Sequence, residues 1–116
     1  MLRVNGLQID TKSGEASRQG ERLPLTRKER LLLRELAIRP GCAVPAEQML
    51  TNVWGVSYRD DLPYLRVWMS RLRSKLEPAS SSPSLIKTVQ GIGYLLDAGA
   101  EPVTGAAQRP ATGTRA

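Results

Sequence analysis

The spacing of apolar residues changes at Thr26, and this change sets the fold class. Before it, apolar residues alternate with polar ones, as in Leu2 and Val4 or Leu7 and Ile9. Alternation of this kind is typical of short strands that are buried on one face. The turns between them are marked by Asn5-Gly6, Ser13-Gly14 and Gln19-Gly20. After Thr26 the apolar spacing is helical. We therefore predict an α+β chain that begins with a four-stranded antiparallel sheet.

Three helices are predicted after this sheet. The first begins at Thr26-Arg27-Lys28-Glu29, which has the form of a capping box, and ends at Pro40-Gly41. The second begins at Pro45 and closes at Trp54-Gly55. The third runs over residues 63–76, after a connector of residues 55–62. The predicted core residues of the first two helices are Leu32, Leu33, Leu36, Ala37, Met49, Leu50 and Val53.

The third predicted helix combines one apolar stripe with a basic remainder that contains no acidic residue. The stripe, at about 100° per residue, consists of Leu65, Met69, Leu72 and Leu76. The residues that point away from it are Tyr64, Val67, Ser70, Arg71 and Ser74, with Arg66 and Arg73 on one flank and Lys75 on the other. Such a helix is suited to the major groove of DNA. A solvated surface helix has the same pattern.

A β-hairpin is predicted over residues 85–96, directly after this helix. Gly91 and Gly93 permit the unusual backbone angles of its turn. Residues 97–116 are rich in Ala, Gly, Thr and Pro, and we predict a disordered tail there, which leaves one domain over residues 1–96. Three helices followed by a two-stranded wing indicate a winged helix-turn-helix fold.

The charge balance favours a polyanionic partner. Lys and Arg number 17 against 11 Asp and Glu, a net charge of +6 with a pI near 10.1. A membrane surface is the weaker choice, because no apolar run approaches the roughly 20 residues that span a bilayer. The chain begins with no signal segment, so we expect a cytoplasmic protein.

The residues of catalytic and metal sites are scarce. The chain has no histidine, and its acidic residues, among them Asp60-Asp61, Glu47 and Asp97, have no spacing that indicates catalysis or a metal. We therefore expect a protein that is not an enzyme and that binds no metal ion and no cofactor. The one cysteine, Cys42, precedes the apolar pair Ala43-Val44, and we expect a small buried thiol.

Six motifs occur in one order. They are Leu25-Thr26-x-x-Glu29, Pro40-Gly41, Val53-Trp54-Gly55, Leu65-Arg66-Val67, Arg71-Leu72-Arg73-x-Lys75-Leu76 and Thr88-Val89-x-Gly91-x-Gly93-Tyr94. Together they resemble, over residues 2–96, the OmpR/PhoB family of DNA-binding effector domains from bacterial two-component response regulators. The resemblance implies a transcription regulator that is monomeric off DNA and binds direct-repeat duplex sites as a head-to-tail pair.

The resemblance also implies a receiver domain that a cognate histidine kinase phosphorylates. These 116 residues contain no such domain. We expect an excised effector domain rather than a natural regulator without a receiver.

The resemblance makes residues 63–76 the recognition helix, with Arg66, Val67, Arg71 and Arg73 at positions that usually touch DNA. An arginine can hold a guanine edge or a phosphate, and a valine can contact a thymine methyl group. Since Val67 and Arg71 point outward on the helical wheel, we expect them to contact bases. Arg66 and Arg73, at the flank, are expected to contact the backbone.

Further candidates for DNA contact are Tyr64, Ser70, Lys75, Lys87, Thr88 and Gln90. The wheel alone suggests Tyr64 and Ser70. By resemblance to the wing, Lys87 and Thr88 are expected to bond phosphates. Gln90 stands where the family often has an arginine, and a neutral amide lacks the charge that a narrow minor groove attracts. Trp68 is expected at the edge of the core in preference to a DNA contact.

In the family the connector contacts RNA polymerase, a role open here to Tyr58, Arg59, Asp60 and Asp61; a solvated loop without a partner fits equally well.

The main alternative function is a small basic RNA-binding or ribosome-associated protein. RNA binders often carry aromatic residues on a sheet, and here the aromatic residues lie outside the N-terminal sheet. A protein-interaction module that lost DNA binding is disfavoured by the arginines of the third helix.

Overall fold

The computed structural model describes residues 2–4, 6–77 and 85–97. The order of elements is the predicted one, with one additional short strand. The strands are β1 (Leu2–Val4), β2 (Leu7–Ile9), β3 (Ala16–Arg18), β4 (Glu21–Arg22), β5 (Val44–Pro45), β6 (Ile86–Val89) and β7 (Gly93–Leu96). The α-helices are α1 (Arg27–Ala37), α2 (Ala46–Trp54) and α3 (Leu62–Leu76). A short 3-10 helix, Val56–Tyr58, lies between α2 and α3.

The predicted N-terminal sheet is confirmed, with neighbouring strands antiparallel in the order β1-β2-β3-β4. Its apolar face is buried, because Val4, Leu7 and Ile9 are inaccessible to solvent. The turn between β3 and β4 has a positive φ at both central residues, 54° at Gln19 and 84° at Gly20. Such a turn matches the right-handed twist of the flanking strands. Asn5, half of the first predicted turn, lies outside the described residues.

The capping box predicted at the start of α1 is present. The Thr26 Oγ1 accepts a hydrogen bond from the Glu29 N–H at 3.3 Å, and the Glu29 Oε1 accepts one from the Thr26 N–H at 2.8 Å. These bonds satisfy donors that the helix itself leaves unpaired. The core residues predicted for α1 and α2 are all buried, and the two helices pack together through them.

The wing is the outer part of a three-stranded sheet, in the order β5-β7-β6, and not an isolated hairpin. Pro45 pairs with Gly93, and a Cβ atom on Gly93 would lie 2.0 Å from the Val44 carbonyl oxygen. Gly93 is thus required by the close approach of β5, and the prediction that it serves a turn angle is wrong. Gly91, with a φ of 76°, does serve the turn. Strand β5 was not predicted, because its two residues are too few to show an alternation of apolar and polar side chains.

The prediction of a buried thiol at Cys42 is wrong, since Cys42 is exposed. The residue belongs to a surface turn after α1, in which its N–H donates to the Arg39 carbonyl oxygen at 3.1 Å. The chain re-enters the core only at Val44, which is fully buried.

Asp97, predicted to begin the tail, directly follows β7 and is bonded to the residue that precedes β6. Its N–H donates to the Leu85 carbonyl oxygen at 2.8 Å. The rest of the predicted tail, residues 98–116, lies outside the described residues. Within the ranges that are described, no helix is long and apolar enough to cross a membrane.

Candidate nucleic-acid interface

The orientation of α3 is set at its N-terminus and along its apolar stripe. Asp61 caps the helix, and its Oδ1 accepts a hydrogen bond from the Tyr64 N–H at 3.4 Å. Asp61 was predicted only as part of a polymerase-contact loop, although its place two residues before Pro63 is a helix-start signal. The predicted stripe of Leu65, Met69, Leu72 and Leu76 is buried, so the opposite face of α3 must point outward.

The outward face carries the predicted DNA-reading side chains. Val67 is 50% exposed, and Ser70, Arg66 and Arg71 are exposed as well. Neither the Arg66 nor the Arg71 guanidinium donates a hydrogen bond to any residue that the structure describes. The Arg71 guanidinium lies over the Trp68 ring, with its central carbon 5.5 Å from the ring centroid. Both arginines therefore present free N–H groups at the surface.

Arg73 ties α3 to the wing. Its Nε donates to the Ile86 carbonyl oxygen at 3.1 Å, and its Nη2 donates to the Thr88 Oγ1 at 2.8 Å. The guanidinium also lies over the Tyr94 ring, 5.6 Å from the centroid. Two predicted phosphate contacts, Arg73 and Thr88, are thus bonded to each other. The pairing joins residues from different elements, which a helical wheel cannot reveal.

The ammonium of Lys75 is paired within the domain, and the DNA contact predicted for Lys75 would require it to leave Glu29. Its Nζ lies 2.7 Å from the Glu29 Oε1 and 3.0 Å from the Pro24 carbonyl oxygen. Glu29 is only 1% exposed. Burial alone would raise the pKa of Glu29, but the hydrogen bonds from Lys75 and Thr26 outweigh it and hold the pKa below its usual value. Without Lys75, α1 would carry a buried carboxylate that lacks its counter-charge.

The one cation of the wing, Lys87, is paired. The Lys87 Nζ lies 2.8 Å from the Asp97 Oδ2, in a pair that is partly open to solvent. Gln90 is exposed in the turn between β6 and β7. The Ile92 carbonyl oxygen of the same turn accepts the Ala46 N–H at 2.9 Å, which attaches the turn to the start of α2.

Four aromatic side chains form a cluster between α2, the connector and α3. This aromatic cluster consists of Trp54, Tyr58, Tyr64 and Trp68, with ring centroids 5.1 to 6.4 Å apart. The outward orientation predicted for Tyr64 is wrong, because its ring is half-buried and packs 5.1 Å from Trp54. Trp68 lies at the edge of the core, as predicted.

Of the remaining connector residues, Arg59 and Asp60 form an exposed ion pair at 3.8 Å. Among the described residues, no group of histidine, cysteine, aspartate or glutamate side chains is placed to hold a metal ion.

In the described part of the chain, three helices share a core, the third is basic and open on one face, and a β-hairpin follows it. This arrangement defines a winged helix-turn-helix domain. Residues 20–96 match the family described as "Transcriptional regulatory protein, C terminal". The chain belongs to this family of OmpR/PhoB-type C-terminal DNA-binding domains, and the resemblance found from the sequence is confirmed.

Full-length regulators are among its relatives. The transcriptional regulatory protein AfsQ1 of Streptomyces coelicolor is 44% identical over 91 residues, which are 78% of this chain and 40% of AfsQ1. The DNA-binding response regulator MtrA of Mycolicibacterium smegmatis is 35% identical over 94 residues, 81% of this chain and 41% of MtrA. The chain thus spans about 40% of the length of these relatives.

Solved structures show the same fold. The DNA-binding domain of CpxR from E. coli superimposes with a TM-score of 0.71 at 33% identity, covering 84% of this chain and 96% of that domain. The RstA DNA-binding domain of Klebsiella pneumoniae, solved in complex with the RstA box, gives a TM-score of 0.68 at 34% identity, covering 83% and 95%. The chain is accordingly a DNA-binding effector domain of transcriptional regulation, and none of these likenesses supports the RNA-binding alternative.

Proposed function

We propose that α3 enters the major groove of a specific duplex site and that the wing lies along the adjacent backbone. The observation that carries this proposal is the outward face of α3, where Val67, Ser70 and Arg71 are exposed and the Arg66 guanidinium donates no hydrogen bond to a described residue. A basic helix that is packed on one side and open on the other fits the width of the major groove.

Within this arrangement, Arg71 and Val67 read bases and Arg66 holds the backbone. The Arg71 guanidinium can donate two hydrogen bonds to a guanine edge, while Val67 can contact a thymine methyl group. Arg73 uses two of its five N–H groups within the domain, so the others are free to meet a phosphate. Lys87 exchanges its exposed pairing with Asp97 for a phosphate. Gln90 has a neutral amide, so we expect it to contact the minor groove more weakly than an arginine would.

The proposed partners follow from the family. Two copies bind direct-repeat half-sites on DNA as a tandem pair, and the isolated domain is monomeric. RNA polymerase contacts the exposed connector at Tyr58, Arg59 and Asp60. A histidine kinase acts on a receiver domain, which these residues do not include. We assign the chain to the cytoplasm and give it no catalytic role.

Selection of binding sites from a random duplex pool, with single-stranded RNA as competitor, tests this proposal. We expect one enriched sequence, present as two half-sites in the same orientation, and little displacement by RNA. Enrichment of no sequence would contradict specific recognition. Displacement of the duplex by an equal amount of RNA would contradict a duplex-DNA function.

A further inference from the structure

Arg71 lies over an aromatic ring of its own helix. Its guanidinium carbon is 5.5 Å from the centroid of Trp68, one turn earlier on α3. Residues three apart on a helix are neighbours, so this contact requires no distortion of the backbone. A guanidinium that lies over an aromatic ring contacts the face of the ring. The N–H groups of the guanidinium then point outward, in the plane of the guanidinium. Those N–H groups donate to no described residue.

Trp68 is itself held in place by other aromatic rings. Its ring lies 5.5 Å from that of Trp54 on α2 and 6.4 Å from that of Tyr64, one turn earlier on α3. The Trp54 ring is held in turn by the Tyr64 ring at 5.1 Å, and both pack against the buried core. The aromatic cluster therefore forms a fixed support beneath Arg71.

Arg73 shows how the same kind of contact serves a different purpose. It lies 5.6 Å from the Tyr94 ring, but its N–H groups donate to Ile86 and Thr88. Arg73 is therefore fixed by two hydrogen bonds within the domain. Arg71 has the ring contact without the internal hydrogen bonds, so its N–H groups remain available to an external acceptor.

We propose that Trp68 is a positioning residue for Arg71, holding the guanidinium over the outward face of α3 before DNA is bound. The inference rests on the proposed base contact of Arg71. A free arginine side chain must give up rotamer freedom when it binds, and a pre-positioned one has already given up part of it. Trp68 thus raises affinity for the specific site without touching DNA.

The test is a mutant cycle on the full chain. Affinities are measured for Trp68→Leu and Trp68→Phe, each with and without Arg71→Ala, on the selected duplex and on a scrambled duplex at one salt concentration. Trp68→Leu keeps apolar bulk and removes the ring. Trp68→Phe keeps an aromatic ring beneath Arg71 and removes the indole N–H. This variant therefore distinguishes a ring contact with Arg71 from a direct hydrogen bond between the indole N–H and DNA.

We expect Trp68→Leu to weaken binding to the selected duplex by about 2–10-fold, because this is the cost of immobilising one long side chain on binding. The affinity for the scrambled duplex should not change. Trp68→Phe should restore most of this loss. Once Arg71 is alanine, Trp68→Leu should cost nothing further. An equal loss with and without Arg71 would overturn the proposal, because Trp68 would then act independently of it.

A measurement without DNA separates this inference from the proposed function. In the wild-type chain, the ring current of Trp68 should shift the NMR signals of the Arg71 Hδ protons upfield, and Trp68→Leu should abolish the shift. Unshifted Hδ signals in the wild type would overturn the positioning role even if Trp68→Leu failed to fold. A wild type that binds both duplexes equally, with the shift present, would instead overturn the proposed function.

Discussion

Arg66 and Arg71 are the basic residues of α3 whose side chains donate no hydrogen bond to a described residue. Lys75 and Arg73 on the same helix are engaged, one with Glu29 and the other with the wing. On the sequence these four residues are similar cations. Their surroundings divide them into two that face outward and two that stabilise the domain.

Arg71→Ala tests the base contact. If Arg71 grips a guanine edge, its loss should cost about 1–3 kcal/mol of binding free energy on the selected duplex and little on random DNA. Titrations on both duplexes measure this difference. Arg3→Ala is the matched control, because it removes the same charge from an exposed position on β1. Equal losses on both duplexes would make Arg71 a phosphate contact.

Arg66→Ala tests the backbone contact. Removing one phosphate contact should make the slope of log K against log salt less steep by about 1. The slope is measured between low and moderate salt for wild type, Arg66→Ala and Arg3→Ala. The last of these should retain the wild-type slope. If both variants changed it alike, the effect would belong to net charge and not to the position of Arg66.

At the scale of elements, α1 and α3 are joined by an ion pair, in which the partly exposed Lys75 of α3 supplies the counter-charge for the buried Glu29 of α1. The carboxylate of Glu29 also accepts the Thr26 N–H in the capping box. The same group therefore stabilises the start of α1 and holds α3 against α1. Helix α3 is thereby attached to the helix that carries much of the core.

This ion pair predicts how stability depends on pH. The pKa of Glu29 is lowered in the folded state from an ordinary value of 4.5. A lowered pKa means that the folded state holds the charged form, so its stabilisation is present above pH 4.5 and is lost as the pH falls through the folded-state pKa. Urea unfolding from pH 7 to pH 3, to be measured for wild type and Glu29→Gln, should show a weaker decline in the variant. Parallel curves would contradict this role.

Removing the cation should be costly at neutral pH. Lys75→Met leaves a buried carboxylate without its ammonium partner and should lower the free energy of unfolding by about 1–3 kcal/mol. Lys12→Met, at an exposed lysine, is the control and should change it by less than about 0.5 kcal/mol. Equal effects in urea unfolding would show that the Glu29 pair contributes nothing specific.

Arg73 connects α3 with β6, and a double-mutant cycle measures that connection. Arg73→Ala and Thr88→Val each remove one end of the 2.8 Å hydrogen bond, so their effects on unfolding should overlap. We expect a coupling energy of at least about 0.5 kcal/mol from urea unfolding of the two single variants and the double variant. Strictly additive effects would mean that the bond does not stabilise the wing against α3.

At the scale of the whole molecule, the net charge of +6 sets the long-range attraction to DNA. With three proposed phosphate contacts, from Arg66, Arg73 and Lys87, log K against log salt should have a slope near about −3 for each bound copy. Titration of the full chain with the selected duplex at increasing salt measures it. A flat response would contradict nucleic-acid binding altogether.

Much of the fold could be predicted from the sequence, because the residue patterns that indicate each strand or helix lie within short stretches of the chain. Alternation indicated the N-terminal sheet, Thr26 and Glu29 indicated the start of α1, and the four-residue stripe indicated the buried face of α3. Six ordered motifs indicated the family. Each of these patterns is a property of residues close together along the chain, where backbone geometry alone determines which side chains share a face.

The partners of individual side chains were decided only by the tertiary structure. β5 pairs with β7 across nearly fifty residues of sequence, and this pairing is what requires a glycine at position 93. Lys75 meets Glu29, and Tyr64 turns into the aromatic cluster, because α3 packs against other elements at particular angles. A helical wheel gives the direction of a side chain but not what lies in that direction. The sequence by itself therefore determined the elements, the family and the basic helix, whereas packing decided which of its cations remain free for DNA.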